Sequence, residues 1–208
     1  MRRNQALTRV TCSGIVEADG YATDDIHYLR SLGVATLSVS EIENVVLLPA
    51  VSRAIAESEG FAAAEIESRL ASLKDAIFEP LGSAGSIDAV VTRYCRRPID
   101  RLLKNIDLSS ASNAAEINSE YQRQTASLDI SRIANEARER IQKAVETADL
   151  PLLLANYDNN GLLASAAKHL KTSKRSDFEN WLTRILRSDK APGVAAAIKQ
   201  SLPTIQAR

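Results

Sequence analysis

The chain has 208 residues, of which 45% are hydrophobic and 25% charged, and this balance excludes a disordered or fibrous protein. Its 26 basic side chains equal its 26 acidic ones, so any nucleic-acid site must be a local patch. No apolar run approaches the roughly 20 residues that span a bilayer, and no signal-peptide pattern follows Met1. We therefore expect a cytoplasmic protein without membrane contact, in which Cys12 and Cys95 are free thiols.

The first 40 residues have a different pattern from the rest of the chain. Residues 7–16 are rich in β-branched and apolar side chains and predict a strand. A turn follows at 17–20, and Thr23 begins a predicted helix that ends at Gly33. Residues 34–39 predict a second strand. Strand, helix and strand in this order form a βαβ unit, so we expect the two strands to be parallel.

Helical periodicity dominates the remainder. We assign 1–48 to an α/β unit and 49–208 to a helical region. Two parallel strands alone seldom form a stable sheet, so we expect further strands to come from a preceding segment or from another chain. A short helix is predicted over 40–48, and longer amphipathic helices are predicted over 61–78, 129–148, 162–170, 176–187 and 192–202.

Four acidic side chains are predicted to meet at one edge of the small sheet. Glu17 and Asp19 follow the first strand, and Glu41 and Glu43 follow the second. The carboxyl ends of parallel strands share one edge, which is where open α/β sheets bind their ligands. Carboxylate oxygens suit Mg²⁺. The pattern therefore predicts a site for Mg²⁺, with Mn²⁺ as an alternative, of the kind that supports phosphodiester hydrolysis.

Simpler interpretations of the same acidic residues stay open at this stage. Residues 17–20 are also typical of a solvated turn between a strand and a helix. Ser40 and Glu43 have the spacing of a capping box, in which each side chain accepts a backbone N–H of the other residue.

A run of basic residues is the candidate site for nucleic acid. Such a run can contact phosphates, and each contact adds salt dependence to binding, although a solvated helix face has the same composition. Pro98 is expected to interrupt the helix here. The five basic side chains are Arg93, Arg96, Arg97, Arg101 and Lys104.

Four segments of the sequence resemble one known family. They are Gly-Ile-Val-Glu-Ala-Asp-Gly at 14–20, Leu-Gly-Val at 32–34, Val-Ser-Glu-Ile-Glu-Asn with the apolar run after it at 39–49, and Tyr-Asp-Asn-Asn-Gly-Leu-Leu at 157–163. The family is Toprim-like, is known as domain of unknown function 4435, and often occurs beside or fused to an ABC-type or AAA-type ATPase. Toprim domains use an early glutamate and an Asp-x-Asp pair to hold Mg²⁺ for phosphoryl transfer.

The resemblance implies a partial Toprim-like βαβ unit in which Glu17, Asp19 and Glu43 hold the metal ion and Glu41 joins them in catalysis. Glu17 stands where family members carry Asp, and the early glutamate has no counterpart because the sequence begins near the strand before Glu17. The leading hypothesis is a divergent or truncated metal-dependent nuclease that works with an ATPase on nucleic acid. The alternative is a non-catalytic helical module that docks on an ATPase partner or forms a homo-oligomer.

Overall fold

The computed structural model describes residues 13–18, 20–21, 23–126 and 128–205. This part of the chain is mostly helical, with one small parallel sheet at its N-terminal end. The coarse prediction of an α/β unit followed by helices is therefore confirmed. None of the helices in these ranges combines the length and the apolar character needed to cross a bilayer.

The N-terminal layer contains two short strands that pair in parallel, as the sequence predicts. Gly14 lies opposite Val34 and Val16 opposite Thr36. Pairing extends past the strand ends, because the Ala18 N–H donates to the Val39 carbonyl over 3.0 Å. The elements are β1 (Gly14–Val16), α1 (Thr23–Ser31), β2 (Val34–Thr36) and a first 3₁₀ helix (Ile42–Leu47).

Local chemistry explains where α1 begins and ends. Asp24 and Asp25 lie in its first turn and Arg30 in its last, so all three charges interact favourably with the helix dipole. Gly33 follows with a φ of 73°, a left-handed conformation that a glycine adopts without steric cost. The chain can therefore turn straight into β2.

The helical region surrounds one apolar core. Helix α4 packs against α6, α3 against α8, and α10 against α2. All but two of the described buried apolar residues, Ala56 and Ile66, belong to a single cluster that runs from Leu37 to Val194. The helices are α2 (Pro49–Ser58), α3 (Ala63–Phe78), α4 (Ser86–Asn105), α5 (Ala114–Thr125), α6 (Ile130–Glu146), α7 (Leu150–Leu154), α8 (Leu162–Lys171), α9 (Arg175–Leu186) and α10 (Pro192–Ser201), with a second 3₁₀ helix (Glu79–Gly82) before α4.

Three sequence predictions about local structure need comment. The prediction that Pro98 interrupts its helix is wrong, because α4 continues through it. Proline removes one backbone donor, but Tyr94 and other residues of the same helix are buried and hold it against α6. The first predicted strand falls partly on residues 1–12, which lie outside the described residues. Cys12 lies there too, whereas Cys95 is a buried free thiol, as predicted.

Candidate metal centre and adjoining basic groove

Three of the four predicted acidic residues converge at the carboxyl edge of the sheet. Glu17, Glu41 and Glu43 each place a carboxylate oxygen within 4.8 Å of the other two. Glu17 directly follows β1, and its Oε1 accepts the Ile42 N–H over 3.0 Å. That N–H is one of the donors that the start of a helix leaves without an internal partner. The bend after β1 and the start of the 3₁₀ helix are thus joined. Asp19 lies outside the described residues.

Ser40 fixes the second half of this edge to the helical core. Both its backbone N–H and its hydroxyl donate to the Leu154 carbonyl, over 2.9 and 3.0 Å. The capping-box interpretation of Ser40 and Glu43 is therefore wrong, since both Ser40 donors are already used and the cap position belongs to Glu41. Glu41 and Glu43 consequently stand on a backbone that a buried contact from α7 holds in place.

Arg97 connects the acidic cluster to the loop before α8. Its Nε donates to Asp158 Oδ2 over 2.9 Å, its Nη1 donates to the Ser40 carbonyl over 2.8 Å, and its Nη2 donates to Glu41 Oε1. The side chains of Arg97, Glu41 and Asp158 are only 18%, 16% and 23% exposed. A partly buried guanidinium with three oxygen partners positions both carboxylates.

The charges of this network shift the proton affinities of its two carboxyl groups. Burial, a hydrogen bond with Asp158 and the nearby charge of Glu17 raise the pKa of Glu41 to about 7, although Arg97 opposes the change. Burial also acts to raise the pKa of Asp158, but hydrogen bonds from Glu41 and Arg97 outweigh it, and that pKa lies below its ordinary value. As pH falls below neutral, the pair therefore takes up one proton, held mainly by Glu41.

The donor set fits a hard divalent cation. Oxygens bound to Mg²⁺ at about 2.1 Å lie within about 4.2 Å of one another, and the three carboxylates here have oxygens within 4.8 Å of one another. Asn44, in the same 3₁₀ helix, is 0% exposed, and its Oδ1 and Nδ2 have no hydrogen-bond partner among the described residues. A buried unpaired polar group costs about 1–3 kcal/mol. The edge itself offers three carboxylates, which suit Mg²⁺ or Mn²⁺ but not a soft metal.

The predicted basic residues divide between this network and a groove beside it. Arg101 and Lys104 line a groove of about 380 Å³ together with Arg97 and Glu17. The Arg101 guanidinium lies 4.3 Å from the centre of the Tyr21 ring, which also lines the groove. The acidic cluster and the basic groove are therefore continuous through Glu17.

The two remaining basic residues of the run do not line this groove. Arg93 donates to the backbone carbonyl of Asp158 over 2.7 Å, so it supports the same loop as Arg97. Arg96 is exposed and is not among the residues that line the groove. The structure thus brings three of the five predicted basic residues to the acidic edge.

The sequence does not predict that Asp158 lies at this site or that Asn44 is buried without a partner. The segment 157–163 carried one signal, since its similarity to the family singled it out, but nothing in the sequence connected it to Glu41. Asn44 belongs to the Glu-Ile-Glu-Asn motif after the second strand. Its burial and lack of partners are visible only once the 3₁₀ helix is packed.

Comparison with known proteins adds no assignment. No family model, no curated protein and no solved structure matches the chain. The Toprim-like resemblance therefore stays a prediction that rests on the quoted motifs.

Proposed function

We propose that this chain is a divergent, Toprim-like, metal-dependent nuclease domain that works with an ABC-type or AAA-type ATPase. In this proposal Glu17, Glu43 and Asp19 hold Mg²⁺ or Mn²⁺, and Glu41 contributes to catalysis beside them. The observation that supports it most is the convergence of Glu17, Glu41 and Glu43 from two chain crossings onto one edge of the sheet. A solvated turn requires no such convergence.

The adjoining groove supports a polyanionic substrate. Arg101 and Lys104 line the same groove as Glu17 and supply cations for successive phosphates. The Tyr21 ring beside Arg101 offers an apolar face to a base or a ribose. Because the whole chain is neutral, this local patch has to provide the attraction that overall charge does not.

The residues of the cluster have distinct roles in the proposed chemistry. When bound, the divalent ion stabilises charge on the attacking and leaving oxygens of the phosphodiester. Arg97 and Asp158 hold the Glu41 carboxyl in one orientation. Its pKa of about 7 lets that carboxyl carry a proton at neutral pH, which is the state needed to protonate a leaving oxygen. Glu17 and Glu43 stand beside it as oxygen ligands.

The direct test is cleavage of defined single-stranded and double-stranded DNA and RNA with Mg²⁺, with Mn²⁺ and with EDTA. We expect cleavage only with a divalent ion. The double variant Glu17→Gln, Glu43→Gln is expected to lower the rate by about 10²–10³-fold, the loss typical when charge stabilisation at a reacting centre is removed. The control is Glu146→Gln, an exposed glutamate at the end of α6. Cleavage in EDTA, or equal rates for the double variant and the control, would contradict the proposal.

An apolar groove favours a second candidate function, a non-catalytic module that docks on an ATPase or on a second copy of the chain. The groove has a volume of about 480 Å³ and lies between the first 3₁₀ helix, α9 and α10. Ile42 and Leu186, which line it, are 54% and 51% exposed. Large apolar side chains exposed together are typical of an interaction surface.

Two measurements separate this second candidate from the nuclease. A docking module without catalysis should show no heat of Mn²⁺ or Mg²⁺ binding in calorimetry, and it should co-purify with an ABC-type or AAA-type ATPase. Leu186→Glu should abolish that co-purification, or the self-association measured by sedimentation. Metal binding by calorimetry together with a monomeric chain that binds no ATPase would contradict the docking role.

A further inference from the structure

A cavity of about 700 Å³ lies between the strand layer and the helical region. Its walls come from the turn after β1, the end of β2 and helices α1, α4, α6 and α7, and none of the three clustered glutamates lines it. Sites for small molecules typically have volumes of about 300–1,000 Å³ and combine apolar walls with a few polar groups. The cavity has such walls, with Tyr21, Ile26, Leu37, Ile133 and Leu152 among its apolar lining residues.

One cation of the cavity wall, Arg140, has no carboxylate partner among the described residues. Its Nε donates to Asn156 Oδ1 over 3.0 Å and its Nη2 donates to Tyr94 Oη over 3.1 Å, and both partners are neutral. The guanidinium also lies 5.6 Å from the centre of the Tyr94 ring. Tyr94 and Asn156 are only 6% and 5% exposed, and both line the cavity with Arg140. The guanidinium therefore stands against buried residues that leave its charge uncompensated.

Other half-buried arginines of this protein do have an acidic partner. Four of them form an ion pair with a carboxylate, namely Arg69, Arg97, Arg138 and Arg175. A charge taken partly out of water normally keeps a counterion, because desolvation without one is costly. Arg140 can therefore bind an anion that the described residues do not supply.

The charges around the cavity also favour an anion. The described lining residues include three arginines and two carboxylates. Arg132 and Glu136 offset each other, since they are exposed and form an ion pair over 3.0 Å. The second carboxylate, Asp25, is exposed in the first turn of α1. Arg101 and Arg140 outweigh it, so the local potential attracts negative charge.

The surroundings of Arg140 indicate the chemical class of this anion. The planar fork of a guanidinium matches the oxygens of a phosphate and can bind two of them at once. Tyr21 and Ile133 offer apolar surface to a ring attached to that phosphate. Tyr21 and Arg101 line both this cavity and the basic groove, so the two spaces adjoin. A phosphate joined to an aromatic body, which is the chemistry of a nucleotide, suits both spaces.

We propose that the cavity is a second binding site, which takes a nucleoside 5′-phosphate with its phosphate on Arg140 and its nucleoside against the apolar wall. A free nucleotide and the phosphorylated end of a strand in the basic groove share this chemistry, and the experiments below distinguish them. The site is separate from the clustered glutamates, and its occupation requires no metal ion.

Binding of adenosine 5′-monophosphate in EDTA, measured by calorimetry, tests the proposal without any contribution from a metal. The original protein should bind one molecule per chain, and adenosine and inorganic phosphate should each bind at least about 10-fold more weakly. Arg140→Gln should raise the dissociation constant for adenosine 5′-monophosphate at least about 10-fold, because it removes the charged donor. The matched control is Arg138→Gln, on the same helix but outside the cavity wall, which should keep the original affinity.

A second variant, Arg140→Lys, covers the case in which the glutamine variant does not fold. Lysine keeps the positive charge and loses the planar fork, so the affinity should fall by a smaller factor. Three results would overturn the inference: no binding of adenosine 5′-monophosphate to the original protein, equal affinities for adenosine and its monophosphate, or an unchanged dissociation constant in the Arg140 variants.

Fluorescence anisotropy in EDTA distinguishes the two sources of the nucleotide, with single strands of one sequence that carry a 5′-phosphate or a 5′-hydroxyl. Tighter binding of the phosphorylated strand, lost in Arg140→Gln, assigns the cavity to a strand end. Equal binding of both strands, with adenosine 5′-monophosphate still bound, assigns it to a free nucleotide. A chain that binds the nucleotide but cleaves nothing would contradict only the nuclease proposal, whereas metal-dependent cleavage without nucleotide binding would contradict only this one.

Discussion

The strand layer and the helical region of this protein are stabilised in different ways. Among the described residues before Leu37, none is buried, and this includes both strands and all of α1. From Leu37 onward the chain supplies a continuous apolar core that reaches Val194. A two-stranded sheet without buried residues is marginal by itself. The helical region therefore provides most of the hydrophobic free energy, and the strand layer depends on its contacts at the carboxyl edge.

The candidate site draws on both regions, because some of its carboxylates are held by the helical region and one is held by the strand layer. Glu41 and Glu43 stand on the buried side, next to Leu47 and the Ser40 contact to α7. Glu17 stands on the exposed side, held by strand pairing and by the Ile42 N–H. A site assembled in this way is rigid on one flank and adjustable on the other. The four predictions below test that division.

The largest expected effect comes from shortening one core side chain on each side of the boundary. Leu47→Ala, at a fully buried position, should lower the free energy of unfolding by about 2–5 kcal/mol. Ile15→Ala, at a half-buried position of β1, should cost about 1 kcal/mol. Urea unfolding followed by circular dichroism measures both. Equal losses of unfolding free energy in the two variants would show that the strand layer packs as tightly as the helical region.

A substitution at Gly20, in the turn between β1 and α1, tests the contact between the strand layer and the helical region. Its φ is 64°, and a Cβ placed there would lie 2.2 Å from Tyr94 Oη of α4. Gly20→Ala should therefore cost about 2–3 kcal/mol, combining backbone strain and overlap. Gly60→Ala is the matched control, with a φ of 79° and open space around its Cβ, and it should cost only about 1 kcal/mol. Equal costs for the two would show that Tyr94 moves aside freely.

Glu41→Gln tests the electrostatics where the regions meet. The folded protein holds the Glu41 proton more tightly than the unfolded chain does, so Glu41 stabilises the fold at low pH and loses that contribution as pH rises through about 7. Glutamine keeps the hydrogen bonds and does not titrate. The variant should match the original protein at pH 5 and exceed it by about 1–2 kcal/mol at pH 8.

The measurement for Glu41 is urea unfolding at a series of pH values between those limits. Glu67→Gln serves as the control, because Arg53 lowers the pKa of Glu67 and its titration lies below this range. A Gln variant less stable than the original at pH 8 would show that the ion pair with Arg97 outweighs the cost of burying the charge.

The smallest expected effect on stability comes from the basic groove. Arg101→Gln with Lys104→Gln should lower the unfolding free energy by about 0.5–1 kcal/mol, because Arg101 loses its contact with the Tyr21 ring. The affinity for single-stranded nucleic acid falls as the salt concentration rises. The double variant should reduce the magnitude of the slope of log affinity against log salt concentration by about 0.7 for each lost phosphate contact. Fluorescence anisotropy at several salt concentrations measures the slope. Arg96→Gln, on the same helix but outside the groove, should not change it, and a change of equal size would assign the contact to the wrong face of α4.

Local patterns in the sequence were sufficient to predict the elements near the site. The β-branched run ending at Val16, the acidic start of α1 and Gly33 predict the parallel βαβ unit because each depends on neighbours a few residues away. The same reasoning places Glu17, Glu41 and Glu43 at one edge. It failed at Ser40, whose spacing to Glu43 matches a capping box, because its actual partner is Leu154, 114 residues later.

The features that the sequence did not predict depend on contacts between segments that are far apart in the chain. Arg97 belongs to a basic run and was assigned to nucleic acid, but its partner Asp158 lies 61 residues away in the chain. Pro98 predicts a broken helix from local rules, whereas packing of α4 against α6 keeps the helix continuous. Local patterns of residue types do not predict these contacts, because they depend on how the helices pack.

The double hydrogen bond from Ser40 to one carbonyl of α7 has a consequence for redesign. It attaches the segment bearing Glu41 and Glu43 through main-chain geometry and a small hydroxyl, independently of the side chains of these two residues. Positions 41 and 43 are therefore the places at which other ligand sets, such as histidines for zinc, can be tried on this platform. Ser40→Ala would leave one of the two bonds and show how much the hydroxyl adds to that platform.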